Sequence, residues 1–366
     1  MKIAFDSQIF SLQEYGGISR YACSLAAQLA DIEGVEASIF APFYINAYLD
    51  KLPKGMVSGI RVPTIPRTRG VFHLGSLWLA RGAIARFAPQ IVHETYFHAT
   101  PIAPKGACAV VTVYDMIHER FPLASAQQDR TSLRKRKATQ RADHVLCISE
   151  STRKDLLELF DLPEDKVSVV YLGFDRLSPM LPETSATSKE KPYLLYVGHR
   201  GGYKNFEGFL RAYASSSWLC NHFDVVSFGG GAFTSDEKKL FEALKLPGNQ
   251  PLQINGDDTK LASFYRAAAL FVYPSLYEGF GIPPLEAMSL GCPVACSNTS
   301  SIPEVVGEAA EYFDPKDTES IRTAMESVLT STARQAELID LGFERCAQFS
   351  WERCARETLA VYRSLM

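Results

Sequence analysis

The sequence predicts an α/β protein built as two parallel-sheet halves joined by a short linker. Three observations carry that expectation. Short apolar runs rich in Val and Ile alternate with longer amphipathic stretches, the pattern of βα units feeding a parallel sheet. The alternation stops over residues 178–191, a stretch of Pro, Ser and Thr with hardly any apolar content, and then starts again. At 366 residues the chain is also long for one core, since domains usually take roughly 100–200 residues each.

The first half opens with the strand KIAFD at 2–6, a loop, and a helix reading ISRYACSLAAQLA. The runs EASIFAP, QIVHETY, CAVVTVYD and HVLCIS follow, each suited to a strand buried on both faces, and DKVSVVYLGFD closes the half. The second half begins with YLLYVG and continues through FDVVSFGGG, PLQING, ALFVYPS, PVACS and AEYFD. Its helices are NFEGFLRAYASS, DEKKLFEALKL, DTKLASFYRAA, PPLEAMSL and TESIRTAMESVLT, with SWERCARETLAVYRSLM last. Within DTKLASFYRAA, Asp258 or Thr259 is the expected N-cap. Two Rossmann-like halves facing each other would bind ligands at the carboxyl ends of their strands, in the cleft between them.

Composition narrows the function. A net charge of −3 with 22% charged residues argues against a dedicated nucleic-acid binder. No apolar run reaches the roughly 18 residues a membrane span needs, and the start MKIAFDSQIF does not read as a signal peptide. The eight cysteines form no C-x-x-C pair and no zinc-spaced Cys/His cluster, so they read as core thiols of a reduced, cytoplasmic protein.

The most informative stretch is SLYEGFGIPPLEAMSLGCPV, residues 275–294. Pro283 and Pro284 cannot lie inside a helical ladder but suit its first positions. Glu278 therefore falls in a loop flexed by Gly279 and Gly281, and Glu286 is expected in the first turn of the helix that follows. Such a loop and helix start make an anion site, with carboxylates free to accept from vicinal hydroxyls. Read from the residues alone, an ordinary strand-to-helix turn fits equally well.

The run E-G-F-G-x-P-x-L-E-A, after Pro274 and Ser275 and before Gly291 and Pro293, resembles the E-x7-E element of retaining glycosyltransferases of family 4. The resemblance extends over essentially the whole chain and implies the GT-B fold: an amino-terminal domain at 1–177, a linker at 178–191 and a nucleotide-sugar domain at 192–349. The last helix, 350–366, would cross back to the first domain. It implies that Glu286 accepts from the nucleotide ribose and that Glu278 holds the donor sugar, with Gly279, Phe280 and Gly281 near sugar and diphosphate. In LLYVGHRGGYKNFEGFL it places Lys204 on the diphosphate. Tyr203 stands where family members commonly carry an arginine, and Arg200, in a Gly-rich turn, is expected to supply that charge or to be an exposed loop residue. Gly16 and Gly17 match the family's amino-terminal GG loop. Asp115 and His118 occupy the strand end where the family has adjacent His-Asp, and His98 is a candidate at the acceptor. Asn255, Asp257 and Leu261 fall where the family cups the base.

These likenesses imply a metal-independent, retaining hexosyltransferase. It would take a nucleotide-diphosphate sugar, UDP-glucose or a similar UDP-hexose first and GDP-mannose next, and a glycan or lipid-linked acceptor in surface-polysaccharide synthesis. No resident cofactor and no metal site are expected. A sugar-nucleotide epimerase on the same fold and a non-catalytic sugar-nucleotide binder remain alternatives. The acid-free basic stretch at 130–141, RTSLRKRKATQR, reads either as a contact with anionic lipid or as a solvated helix face.

Overall fold

The computed structural model describes residues 1–63, 69–121, 126–177, 191–246 and 250–366. The expected linker falls at 178–190 outside the described residues. The chain divides into two compact units, Met1–Gly173 with Ser350–Met366, and Phe174–Phe349.

The strands of the first unit are β1 (Lys2–Phe5), β2 (Glu36–Tyr44), β3 (Val57–Arg61), β4 (Ile91–Glu94), β5 (Cys108–Val113), β6 (His144–Cys147) and β7 (Val167–Val169). They form one parallel sheet in the order β3-β2-β1-β4-β5-β6-β7. The helices are α1 (Gln8–Leu12), α2 (Gly17–Ala30), α3 (Arg69–Phe87), α4 (Ile117–Arg120), α5 (Ala126–Arg141) and α6 (Glu150–Leu159). Ile3, Ala4, Phe5, Val92, Val110 and Val145 are all buried, as strands covered on both faces require.

In the second unit β8 (Tyr193–Val197), β9 (Asp224–Phe228), β10 (Leu252–Ile254), β11 (Leu270–Tyr273), β12 (Val294–Ser297) and β13 (Glu311–Phe313) form a parallel sheet ordered β10-β9-β8-β11-β12-β13. Its helices are α7 (Phe206–Ala214), α8 (Ser217–His222), α9 (Ser235–Ala243), α10 (Asp258–Ala267), α11 (Ile282–Ser289), α12 (Ile302–Val306), α13 (Thr318–Thr330) and α14 (Thr332–Cys346). Leu194, Phe206, Phe209, Leu270 and Met325 belong to one buried cluster.

The last helix, α15 (Trp351–Ser364), returns to the first unit and packs along α2. Two features seat it. Gly173 lies so close to the chain at 350–351 that a Cβ there would come within 2.2 Å of the Trp351 nitrogen. The Tyr362 hydroxyl meets His93 Nδ1 at 2.5 Å inside the sheet, while His93 Nε2 faces Thr112 Oγ1 at 2.8 Å. Complete burial holds the His93 pKa down at about 3, so the ring is neutral and structural.

Both sheets reverse strand order beside their first strand, at β1/β4 and at β8/β11. Ligands of open parallel sheets bind outside the carboxyl ends of strands at such a reversal. The residues to inspect are therefore those just after β8 and β11 in the second unit, and after β1 and β4 in the first.

Candidate functional site

Lys204 arrives from the loop after β8 and Glu278 from the loop after β11, and they meet: Lys204 Nζ donates to Glu278 Oε1 at 2.6 Å. Both side chains are largely buried, which makes this more than a surface pair. The ammonium also sits 5.5 Å from the Tyr203 ring centre and 5.4 Å from that of Tyr273. The Tyr273 hydroxyl hydrogen-bonds Glu278, and burial is the main reason its pKa is pushed far up. A cation, a carboxylate and a phenol thus occupy the switch point of this sheet.

The two loops are stitched by main-chain and amide bonds. Leu276 N–H donates to Tyr203 O at 2.7 Å. Asn205, in the left-handed region at φ 53°, donates through Nδ2 to Pro274 O at 3.1 Å and Pro315 O at 2.8 Å. Those bonds explain why a non-glycine residue is held there. The loop after β12 completes the frame. Ser300 Oγ accepts from Glu278 N–H at 2.9 Å, and Ser301 Oγ lies 2.9 Å from Glu278 O and 2.8 Å from Phe280 O. Asn205, Ser300 and Ser301 escaped the sequence reading because single polar residues in loops carry no pattern, and Tyr273 because it ends the buried strand β11 and reads as core.

Gly281 begins α11 at φ 116°, a conformation that favours glycine, and the prolines occupy the helix start. Glu286 does not lie in the first turn as expected. It lies one turn further along, buried, with its Oε2 accepting from the Tyr265 hydroxyl at 3.3 Å.

Arg200 is neither an exposed loop residue nor directed at Lys204. Its Nε donates to Glu237 Oε1 at 2.6 Å, Nη1 to Gly229 O at 3.0 Å, and Nη2 to Gly231 O at 3.0 Å and Ala232 O at 3.2 Å. Its guanidinium lies 4.6 Å from the Phe233 ring centre. The glycine run after β9 takes φ values of 85°, 73° and 74° at Gly229, Gly230 and Gly231, and a Cβ on Gly230 would come within 2.6 Å of Arg200 Nη1. Arg200 thus organises this loop, with its donors turned inward, which is a different role from the expected phosphate contact. His199, beside it, has its pKa lowered first by partial desolvation of the ring and then by Lys204 and Arg200.

Asn255, Asp257 and Leu261 stand after β10, on the same sheet edge as the glycine run. Asp257, rather than Asp258 or Thr259, caps α10 by accepting from Lys260 N–H at 2.9 Å. Asn255 is exposed, its carbonyl taken by Lys260 Nζ at 3.0 Å, and Leu261 is half-buried.

A family model described as Glycosyltransferase Family 4 matches residues 15–176, and one described as Glycosyl transferases group 1 matches residues 180–345. The chain belongs to the group 1 glycosyltransferases of family 4 type. It is 32% identical over 238 residues to the O-antigen chain mannosyltransferase B of Escherichia coli, a match covering 60% of each chain. Against the serotype-specific mannosyltransferase WbdA of Escherichia coli it is 27% identical over 78% of this chain and 38% of that one. Against the O-antigen chain mannosyltransferase RfbU of Salmonella typhimurium it is 25% identical over 85% of this chain and 87% of that one. The match therefore spans less than two thirds of the length of the first two relatives. Among solved structures, the sucrose-phosphate synthase of Thermosynechococcus elongatus superposes with a TM-score of 0.75 at 20% identity, covering 100% of this chain and 98% of that one. Anabaena HepE, in complex with UDP and glucose, gives 0.71 at 15% identity over 99% of both chains. The fold is of GT-B type, two parallel-sheet Rossmann-like domains.

Gly16 and Gly17 form the start of α2 with no side-chain cap on its amides, and Ser19 Oγ donates to Gly16 O at 3.0 Å. Asp115 follows β5 and is partly committed: its Oδ1 accepts from Ile117 N–H at 3.0 Å. His118 lies half-buried on α4. His98 Nδ1 faces the Thr100 hydroxyl at 2.9 Å, and Arg141 Nη2 donates to His98 O at 2.8 Å.

The basic helix α5 divides its cations: Lys135 is buried and Arg141 half-buried, while Arg130, Arg134, Arg136 and Lys137 are exposed. Lys135 is buried, donating to Glu119 at 2.8 Å and to Asp115 O at 2.8 Å. Arg141 forks onto the buried Glu94 carboxylate. Arg136 donates to Leu159 O at 3.0 Å and lies 4.4 Å from the Phe160 ring centre. Three of its cations therefore hold the unit together.

Proposed function

We propose that this glycosyltransferase transfers mannose from a nucleotide-diphosphate sugar to a growing surface-polysaccharide chain or its lipid-linked precursor, with retention of configuration. The observation that carries the reading is the buried Lys204–Glu278 pair at the strand-order reversal, one helix turn and a loop away from Glu286. Lys204 and Glu278 are each other's partner, and a donor that is anionic at one end and hydroxyl-rich at the other can satisfy both. The diphosphate takes the ammonium and a sugar hydroxyl takes the carboxylate. Glu286, held by Tyr265, accepts from the ribose.

As the bond between the anomeric carbon and phosphate oxygen breaks, negative charge accumulates on the leaving diphosphate. Lys204 and the main-chain amides of the Gly279–Gly281 loop are suited to stabilise it. The acceptor oxygen bonds the anomeric carbon on the face the phosphate leaves. Its proton passes to the departing phosphate oxygen, so no side-chain base and no metal are required. The names of the curated relatives support mannose, which moves GDP-mannose ahead of UDP-glucose as donor.

The test is a thermal-shift panel of GDP, UDP, ADP and their sugars, followed by a transfer assay in excess EDTA. Saturation at about a hundred times the dissociation constant stabilises by roughly 2.7 kcal/mol, an easily measured shift. Stabilisation by UDP sugars but not GDP-mannose would return UDP-glucose to first place. Proton NMR of early product from an α-linked donor gives the stereochemistry, and a β-linked product would remove the retaining mechanism. Deuterium from solvent entering the sugar without acceptor would identify an epimerase instead.

A further inference from the structure

The strand ends of the second unit hold little spare positive charge. The loops after β8, β9, β11 and β12, at 198–205, 229–234, 274–281 and 298–301, carry two permanent cations, Arg200 and Lys204. Each already faces a carboxylate. Lys204 meets Glu278 at 2.6 Å, and Arg200 meets Glu237 at 2.6 Å with its other donors on loop carbonyls. A diphosphate brought to these loops adds more negative charge than that balance answers. The remaining group in them that can become a cation is His199.

Local structure holds this residue at the strand end with its ring outward. Gly198, at φ 120°, turns the chain and donates its N–H to Phe228 O at 2.9 Å, while the Tyr196 hydroxyl donates to His199 O at 2.6 Å. The main chain is pinned, yet the residue is exposed, and among the described residues neither ring nitrogen has a hydrogen-bond partner. The charged groups around the ring are Lys204 and Arg200 of its own loop, Glu237 of α9 and Glu278 of the loop after β11. Partial desolvation, then Lys204 and Arg200, hold its pKa below the ordinary 6.5, and the two carboxylates offset them only in part. The ring is therefore neutral at pH 7 while the site is empty of charge other than the protein's own.

We propose that His199 is the second protein cation on the donor's diphosphate, and that it takes a proton from solvent as the diphosphate settles beside Lys204. The assignment rests on the site's holding a nucleotide-diphosphate sugar, as in the transfer reaction proposed above. The neutral ring gains one proton at its free nitrogen, the donor loses none, and the imidazolium then donates to a phosphate oxygen. Phosphate charge offsets the Lys204 ammonium that disfavours a second cation, and attracts the new one itself. The bound state thus holds more protons than the free state. Donor affinity accordingly rises as pH falls through neutral, and levels off below 6.5, once the ring of the free protein is protonated as well.

Titration calorimetry of the full chain with GDP-mannose and, in parallel, UDP-glucose tests it. The diphosphate of a nucleotide sugar is a diester that does not itself titrate near neutral pH, so any proton taken up goes to the protein. At pH 7 in PIPES and in Tris, whose ionisation heats differ, wild type should take up a fraction of a proton per donor bound. Its affinity should weaken by about three- to tenfold between pH 6 and pH 8. His199→Gln keeps a hydrogen-bond donor but cannot be protonated, and should show no uptake and a flat profile. His199→Lys, charged throughout, should bind at pH 8 as tightly as wild type does at pH 6. Melting temperatures should match wild type, since the side chain is exposed. Uptake that survives in His199→Gln, or wild-type binding without uptake or pH dependence, overturns the inference and leaves the transfer reading in place. Failure of both nucleotide sugars to bind wild type at either pH overturns the transfer reading, and this inference with it.

Discussion

Replacing Arg200 with alanine separates two roles that look alike in sequence. In the structure the guanidinium is enclosed, with Glu237, three loop carbonyls and the Phe233 ring as its surroundings. Breaking a buried ion pair by removing one partner costs about 3–5 kcal/mol. The low end applies here for two reasons. Glu237 keeps its capping-box bond from Thr234 N–H at 2.6 Å, and Gly229 O keeps Gln253 Nε2 at 3.2 Å. Gly231 O and Ala232 O lose the guanidinium as well, but both residues are exposed and open to water.

Taking about 3 kcal/mol, and 2–4 °C per kcal/mol for a unit of this size, Arg200→Ala should lower the melting temperature by roughly 6–12 °C. Turnover at saturating donor, measured well below that transition, should fall much less than it does in Lys204→Ala. Arg200→Lys should be intermediate in stability, because a single ammonium can answer Glu237 but cannot span the three carbonyls. A cycle with Glu237→Ala should show coupling on the order of 0.5–3 kcal/mol. Unchanged melting together with a tenfold or larger loss of turnover would refute the reasoning and return Arg200 to the diphosphate.

Three further outcomes follow from the same geometry. Glu278→Ala releases Lys204 from its 2.6 Å partner, so affinity for free nucleoside diphosphate should hold or rise while transfer is lost; Glu286→Ala should weaken nucleoside diphosphate and nucleotide sugar alike, and equal losses in both mutants by titration calorimetry would contradict this division. Lys204→Ala should cost about ten- to a hundredfold, mostly in turnover, because a charge-assisted hydrogen bond is worth roughly 1.5–3 kcal/mol and tightens as the leaving group gains charge; activity abolished by EDTA and restored by Mg²⁺ or Mn²⁺ would show that protein cations do not suffice. Because His93 has its pKa held at about 3 against 6.5 in the unfolded chain, the unfolded state takes up the proton first, and stability present above pH 6.5 is lost as pH falls towards 3, at about 1.4 kcal/mol per pH unit; melting followed across that range should show a flatter acid limb in His93→Gln.

The sequence discloses what repeats and hides what does not. Buried parallel strands announce themselves as runs of Val and Ile, so every central strand of both sheets was legible, whereas the edge strand β3, VSGIR, is mostly exposed and carries a glycine, and it gave no such signal. Most of the longer helices that bury one face were also legible, though α6, ESTRKDLLEL, was not; α3 was missed because Leu74, Leu77, Trp78, Leu79 and Ile84 point to all sides and leave no period to read.

At the site, two prolines and flanking glycines fix where loop ends and helix begins, which put Glu278 in a loop; Glu286 lies beyond the first turn it was expected in, and Lys204 was placed by the family resemblance alone. Arg200 could not be read in the same way. A flexible Gly-rich turn lets an arginine go either outward to a ligand or inward to the next loop, and the choice is made by Glu237, 37 residues away. Glu237 itself looks like an ordinary first-turn helix acid, so its capping box with Thr234 and its bond to Arg200 become visible only when α9 is set beside the loop after β8. Residues acting through the main chain escape for a related reason: Asn205 and Ser301 bond to carbonyls, and any residue type presents a carbonyl. Cations placed against acids far along the chain are therefore the positions where a sequence argument about charge must wait for the fold, and Lys135 and Arg141 on α5 show the same dependence as Arg200.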